Sequence, residues 1–138
     1  DGGRDWSSDV CSSDLSTSTK IQFNTKVFDT NSNFDSSTNY RFTPTVAGYY
    51  QLNAGCNIYG GNQPARGFVA IFKNGSEFYR GQDISGTYVN VATVSGLVYL
   101  NGTTDYVEFY GWGVNASGLT FGAGASLTYA NGVLVRAA

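Results

Sequence analysis

Histidine and methionine are both absent from the 138 residues. Without histidine there is no Ser-His-Asp triad, no His-ligated zinc site and no imidazole general base. Charge is sparse: 13% of residues are charged, with Lys+Arg 8 against Asp+Glu 10, a formal net charge of −2. That balance argues against a phosphate-binding surface, and the basic residues Lys20, Lys26, Arg41, Arg66, Lys73, Arg80 and Arg136 are dispersed, so no nucleic-acid partner is expected. No apolar run reaches the roughly 18 residues of a membrane-spanning helix, so no membrane insertion is expected. Leu, Glu and Lys, the good helix formers, are scarce, whereas the chain holds 18 Gly, 10 Tyr and 9 Phe. This is a strand-and-turn composition, and its aromatic content is too high for disorder.

Residues 1–15, DGGRDWSSDVCSSDL, differ from the rest. They show neither strand alternation nor a helical period, and they have no signal-peptide core. The run from Asp5 to Leu15 resembles one reading frame of a widely used short-read sequencing adapter, as in an assembled environmental read. The alternative is a natural Ser/Asp-rich leader. Residues 1–15 are therefore set apart as a non-native, disordered or irregular segment, with the domain in residues 16–138. Without Arg4, Asp1, Asp5, Asp9 and Asp14 the formal charge turns from −2 to +1. A Cys11–Cys56 disulfide loses its basis, and Cys56, on an alternating apolar face, reads as a buried structural thiol.

From residue 16 onward, short strands alternate with turn chemistry. Residues 49–59 carry the clearest period of two: Tyr50, Leu52, Ala54, Cys56 and Ile58 on one face, Tyr49, Gln51, Asn53, Gly55, Asn57 and Tyr59 on the other. Residues 68–72 (FVAIF) are apolar on both faces, as in a strand buried on two sides. Asn74-Gly75 and Asn101-Gly102 fit tight hairpins, the second joining residues 91–100 to 106–112. Asn131-Gly132 falls inside the last strand region and reads as a bulge or kink. Eight or nine strands at regular spacing, with no crossover helix, predict an all-β antiparallel sandwich or barrel.

The order of motifs resembles the C1q-like globular domain, the jelly roll shared with the tumour necrosis factor family, and its wording is closest to the viral and bacterial branch. The residues that carry the resemblance are Phe23-Asn24, then Phe34-Asp35-Ser36-Ser37-Thr38, then Phe42-Thr43-Pro44-Thr45-Val46-Ala47-Gly48-Tyr49-Tyr50. They continue through Val69 to Gly75, the strands flanking Asn101-Gly102, and a loose match at Ser126, Thr128, Gly132, Leu134 and Val135. The resemblance implies an antiparallel jelly-roll β-sandwich. It also implies a first strand beside the last one; residues 1–15 stand in that region, so the domain is expected to lack this strand and to leave the last strand's edge open. Finally, the resemblance implies a homotrimer packed through inner-sheet aromatics. Tyr49, Tyr59, Tyr106 and Tyr110 are the candidates for that interface, with packing within the chain as the alternative. Asn62, Gln63, Arg66, Trp112 and Asn115 are candidates for ligand-facing loops.

Enzymatic readings are poor. Asp105 and Glu108 are the nearest carboxylate pair but straddle a turn and a strand, which suits a solvated face better than a glycosidase cleft. No cofactor is expected. Asp29, Asn31, Asn33 and Asp35 alternate like cation ligands, yet the calcium-loop pattern is incomplete; some members of the resembling family bind calcium, and no residue here is assignable to it. Three sequons, at Asn74, Asn101 and Asn115, mostly coincide with turns. The expectation is a non-enzymatic, trimeric binding module at a phage fibre tip or virion surface, extracellular, recognising a host cell-surface glycan or protein. The alternatives are a structural trimerisation clamp without ligand, or a secreted bacterial adhesion domain.

Overall fold

The computed structural model describes the backbone of residues 4–7, 11–13, 18–59, 65–86, 91–114, 119–122 and 124–138. Fourteen strands are present among them: β1 (Arg4–Ser7), β2 (Cys11–Ser13), β3 (Thr19–Lys20), β4 (Thr25–Asp29), β5 (Phe34–Asp35), β6 (Arg41–Phe42), β7 (Gly48–Tyr59), β8 (Ala65–Lys73), β9 (Ser76–Arg80), β10 (Ile84–Gly86), β11 (Val91–Leu100), β12 (Val107–Val114), β13 (Leu119–Phe121) and β14 (Tyr129–Ala137). No helix occurs among the described residues. Two antiparallel sheets face each other, as the sequence predicts. The first runs β11-β7-β14-β1-β4, with β13 beside the far end of β7 and β2 beside β13. The second centres on β8 and β12; β9 and β10 flank β8, while β6 and β3 flank β12, with β5 outside β6.

The alternating pattern places the core. Tyr50, Leu52, Ala54, Cys56 and Ile58 of β7 are all buried, facing Val69 and Ile71 of β8 and Val107 and Phe109 of β12. Each large apolar side chain enclosed this way contributes about 1.5–3 kcal/mol. Cys56 is a free, buried thiol. Strand β8 is buried on both sides, since Phe68 and Ala70 on its outer face are covered as completely as Val69 and Ile71 within.

The turns divide into one expected hairpin and two corrections. Asn74 and Gly75 both take positive φ (52° and 83°) and join β8 to β9. Asn101-Gly102 does not close a hairpin: β11 pairs with β7 and β12 with β8, so this turn carries the chain from one sheet to the other. Its asparagine ties the loop, Oδ1 accepting from the backbone N–H groups of Thr103, Thr104 and Asp105. Asn131-Gly132 is regular strand opposite Asn53 and Leu52; the irregularity in β14 falls later, between Leu134 and Arg136.

The slot beside the last strand is occupied, contrary to expectation. Strand β1 lies between β14 and β4 and pairs with both, so Tyr129–Gly132 have a partner. Trp6 points into the core, fully buried, stacked on Phe34 at 4.2 Å and tilted against Phe42 at 5.6 Å. A ladder satisfies backbone donors and acceptors whatever the side chains are, so an open slot accepts an extended segment that lacks strand patterning. Periodicity in the segment itself therefore carried no sign of this pairing.

Candidate functional site

The outward faces of the two sheets differ in chemistry. On the first sheet the registers of β11, β7 and β14 align outward side chains in rows: Ser95, Asn53 and Asn131; Leu97, Gln51 and Val133; Tyr99, Tyr49 and Arg136. Tyr49 and Tyr99 sit 5.4 Å apart and are 44% and 41% exposed; Leu97 and Val133 are 46% and 40% exposed. A polar ladder crosses all three strands. Gln51 Nε2 donates to Ser95 Oγ (2.9 Å), Ser95 Oγ to Asn53 Oδ1 (2.7 Å), and Asn53 Nδ2 to Asn131 Oδ1 (2.9 Å). The ring of Tyr129 lies over Gly55, where a Cβ would stand 2.6 Å from it. Arg136, at the margin, is the one charge in these rows.

The second sheet is aromatic and ionic on its outer face. Glu108 is buried, and its Oε2 accepts from Arg41 Nε and Nη2 (3.0 and 2.8 Å) and lies 2.7 Å from Lys20 Nζ. The Arg41 guanidinium also covers the Tyr106 ring at 3.9 Å. Tyr110 stacks on Phe72 (4.0 Å) and donates to Glu108 Oε1 (3.4 Å). Burial, then the neighbouring Glu108 charge, raises the Tyr110 pKa. Further along, Phe68 stacks on Trp112 (5.0 Å), the Arg80 guanidinium lies 4.2 Å from the Phe68 centroid, and that of Arg66 lies 5.3 Å from Trp112. Ser18, Arg66, Phe68, Arg80 and Trp112 line a cleft of about 500 Å³.

The four tyrosines do not form one surface. Tyr49 belongs to the first sheet, Tyr106 and Tyr110 to the second; Tyr59 ends β7 opposite Thr120, and its side chain lies outside the described residues. The companions of Tyr49 are Tyr99, Leu97 and Val133, which no single segment pattern singles out. Of the loop candidates, Arg66 and Trp112 stand not in loops but in the paired strands β8 and β12, and they meet in the cleft, whereas Asn62, Gln63 and Asn115 lie outside the described residues. Phe68 and Arg80 were missed, because only the β8–β12 and β8–β9 registers bring them to Trp112.

The carboxylates serve the fold. Asp105 accepts from Asn74 Nδ2 and the Asn101 N–H and pairs with Lys73 at 3.5 Å. Glu108 engages a different set of partners, so the two do not converge on one cleft. Asp29 accepts from the N–H groups of Asn33 and Phe34, and Asp35 from those of Ser37, Thr38 and Asn39. Those donors, the Ser37 N–H foremost, hold Asp35 well below the usual carboxylate range. The Asp29–Asp35 loop is thus closed on itself, and no cluster of three or more metal-ligating Asp, Glu or Cys side chains occurs among the described residues.

No protein-family model and no curated protein sequence matches the chain. Solved structures do. The globular domain of zebrafish complement 1qA superposes with a TM-score of 0.69 at 16% identity, covering 99% of this chain and 98% of that one. Murine APRIL gives 0.64 at 11% identity, over 97% and 100% of the two chains. The Eiger TNF from S. frugiperda gives 0.65 at 8%, over 99% and 93%. At these identities the likeness shows the fold: a C1q/TNF-type jelly-roll sandwich.

Proposed function

We propose that the chain is a non-enzymatic recognition module that works as a homotrimer, assembled through the outward face of β11, β7 and β14. One observation carries the reading: this face is apolar and hydrogen-bonding, with Tyr49, Tyr99, Leu97 and Val133 exposed and charge kept to its margin, at Arg136 and at Lys73 beside Tyr99. Aromatic enrichment and charge depletion mark the centres of protein interfaces. The C1q-like resemblance points to the same sheet and to a second and third copy of this chain as the occupants. Tyr106 and Tyr110, covered by Arg41 and Phe72, are read as packing within the chain. The assembled module suits an extracellular or virion surface, with a phage fibre tip engaging a host surface as its setting. Residues 1–15 are read as translated adapter that supplies β1 and Trp6 to the sandwich formed by the domain of residues 16–138.

Light scattering at micromolar concentration tests the assembly. The expected mass is three times the 14.7 kDa of one chain, falling to one chain in Leu97→Asp with unchanged circular dichroism. A wild-type protein that stays monomeric at that concentration overturns the reading.

A further inference from the structure

We infer that the cleft between Arg66, Arg80, Phe68 and Trp112 is a binding site for an acidic sugar, a pyranose ring bearing a carboxylate. The inference rests on reading the chain as a recognition module and supplies the class of ligand.

Among the described residues, the charges lining the cleft are both cationic, Arg66 and Arg80. Their acidic partners, Asp83 and Glu77, do not line it. Asp83 holds Arg66 by its Nε (3.0 Å) and Nη2 (2.6 Å). Glu77 holds Arg80 by Nη2 alone, at 3.2 Å to each oxygen. Among the described residues, Nε and Nη1 of Arg80 and Nη1 of Arg66 have no protein acceptor. A guanidinium has five N–H donors in a planar fork; Asp83 takes the Nε/Nη2 edge of Arg66 and leaves its Nη1 end, while Nε and Nη1 of Arg80 remain as single donors on either side of the Nη2 that Glu77 holds. The Arg80 plane is held beside Phe68 rather than left to wander, which reduces the ordering cost of binding.

The rest of the lining selects the body of the ligand. Trp112 offers apolar ring surface backed by the buried Phe68, Ser18 a hydroxyl, and the volume of about 500 Å³ lies within the range of small-molecule sites. A pyranose presents C–H groups to the Trp112 ring and hydroxyls to Ser18 and the guanidiniums.

The test uses methyl glucuronide and methyl glucoside, which differ in a carboxylate against a hydroxymethyl group, titrated into the intact protein by saturation-transfer NMR. The glucuronide is expected to bind and the glucoside to bind at least tenfold more weakly. Arg80→Gln should weaken glucuronide binding at least tenfold, and Arg80→Lys, which keeps the charge but has no planar donor group held beside Phe68, should restore only part of it. Asp83→Asn, which releases the Arg66 fork and removes a nearby negative charge, should strengthen binding severalfold. Melting curves establish that each variant is folded; should Arg80→Gln fail to fold, Asp83→Asn decides. Equal binding of the two sugars, or unchanged affinity in both Arg80→Gln and Asp83→Asn, overturns the inference. A tetraglutamate peptide that competes fully with the glucuronide overturns the sugar and leaves a general carboxylate site. The cleft is on the sheet opposite the proposed assembly face, so a monomeric protein that binds glucuronide refutes only the trimer, and a trimer that binds neither sugar refutes only the cleft.

Discussion

Replacing Trp6 by alanine probes the least expected part of the fold. The indole is fully buried, stacked on Phe34 at 4.2 Å and within 6.3 Å of Phe109. Truncating a buried Trp costs about 3–5 kcal/mol through lost transfer energy and the cavity left behind. In a domain of this size each kcal/mol lowers the melting temperature by roughly 3–4 °C, so Trp6→Ala should melt roughly 10–20 °C below wild type. The indole has a weakness too: Nε1 is buried with no acceptor, a penalty of about 1–3 kcal/mol. Trp6→Phe removes that orphan donor while keeping a ring against Phe34, so its loss should be less than half that of the alanine variant. Deleting residues 1–15 should cost at least as much as Trp6→Ala and add concentration-dependent association, because β14 and β4 would regain open edges. Thermal melts followed by circular dichroism make the comparison. A Trp6→Ala melt within about 2 °C of wild type would refute the docking of β1 as a structural strand.

Gly48→Val should lower stability by about 1–3 kcal/mol, read as a lower melting temperature. Gly48 begins β7 without a positive φ, so no turn is strained; a Cβ there would run into the Arg136 carbonyl and stand 2.8 Å from Leu134 Cδ1. Asp35 predicts an acid-sensitive loop. Its folded pKa is depressed, so the native state binds fewer protons than the unfolded chain, and its contribution is full above about pH 4 and lost as pH falls toward the depressed value. Asp35→Asn should therefore be less stable than wild type at pH 7, with the gap closing below about pH 4; a gap independent of pH would refute the assignment. Glu108→Gln should cost about 1–3 kcal/mol, because Lys20 and Arg41 lose their shared counter-charge, while the wild type should show no sugar-releasing activity for it or Asp105→Asn to abolish.

The fold was legible where information is local. The period of two in residues 49–59 placed five side chains in the core, and the two-sided apolar run at 68–72 marked a strand covered on both faces. Asn74-Gly75 made the hairpin that its conformational freedom favours. What was not legible depends on register between distant segments. The row Leu97, Gln51, Val133 joins residues far apart in the chain, and none of the three segments shows alone that it adjoins the others. The same holds for Arg80 beside Phe68, and for Glu108 between Lys20 and Arg41. Asn101-Gly102 supplied turn chemistry without saying which strands the turn connects. Strand β1 escaped because its pairing is a property of the slot, with Trp6 the single side chain shown to fit the core.

The distribution of charge assigns the two outer faces different partners. Lys20, Arg41, Arg66 and Arg80 all stand on the second sheet, whereas the rows of β11, β7 and β14 carry only Arg136. A face whose centre lacks charge and holds paired Tyr49 and Tyr99 loses little by leaving water; a face studded with guanidiniums loses much unless an anion meets it. Ionic strength separates the two. Salt at about 1 M shortens the screening length to about 3 Å, which should weaken glucuronide binding at Arg80 sharply. Association through Leu97, Val133 and the tyrosines rests on apolar burial and short hydrogen bonds, so the assembled mass should hold over the same range. Dissociation by salt alone would mean that charged residues hold the copies together, and would move the assembly face away from β11, β7 and β14.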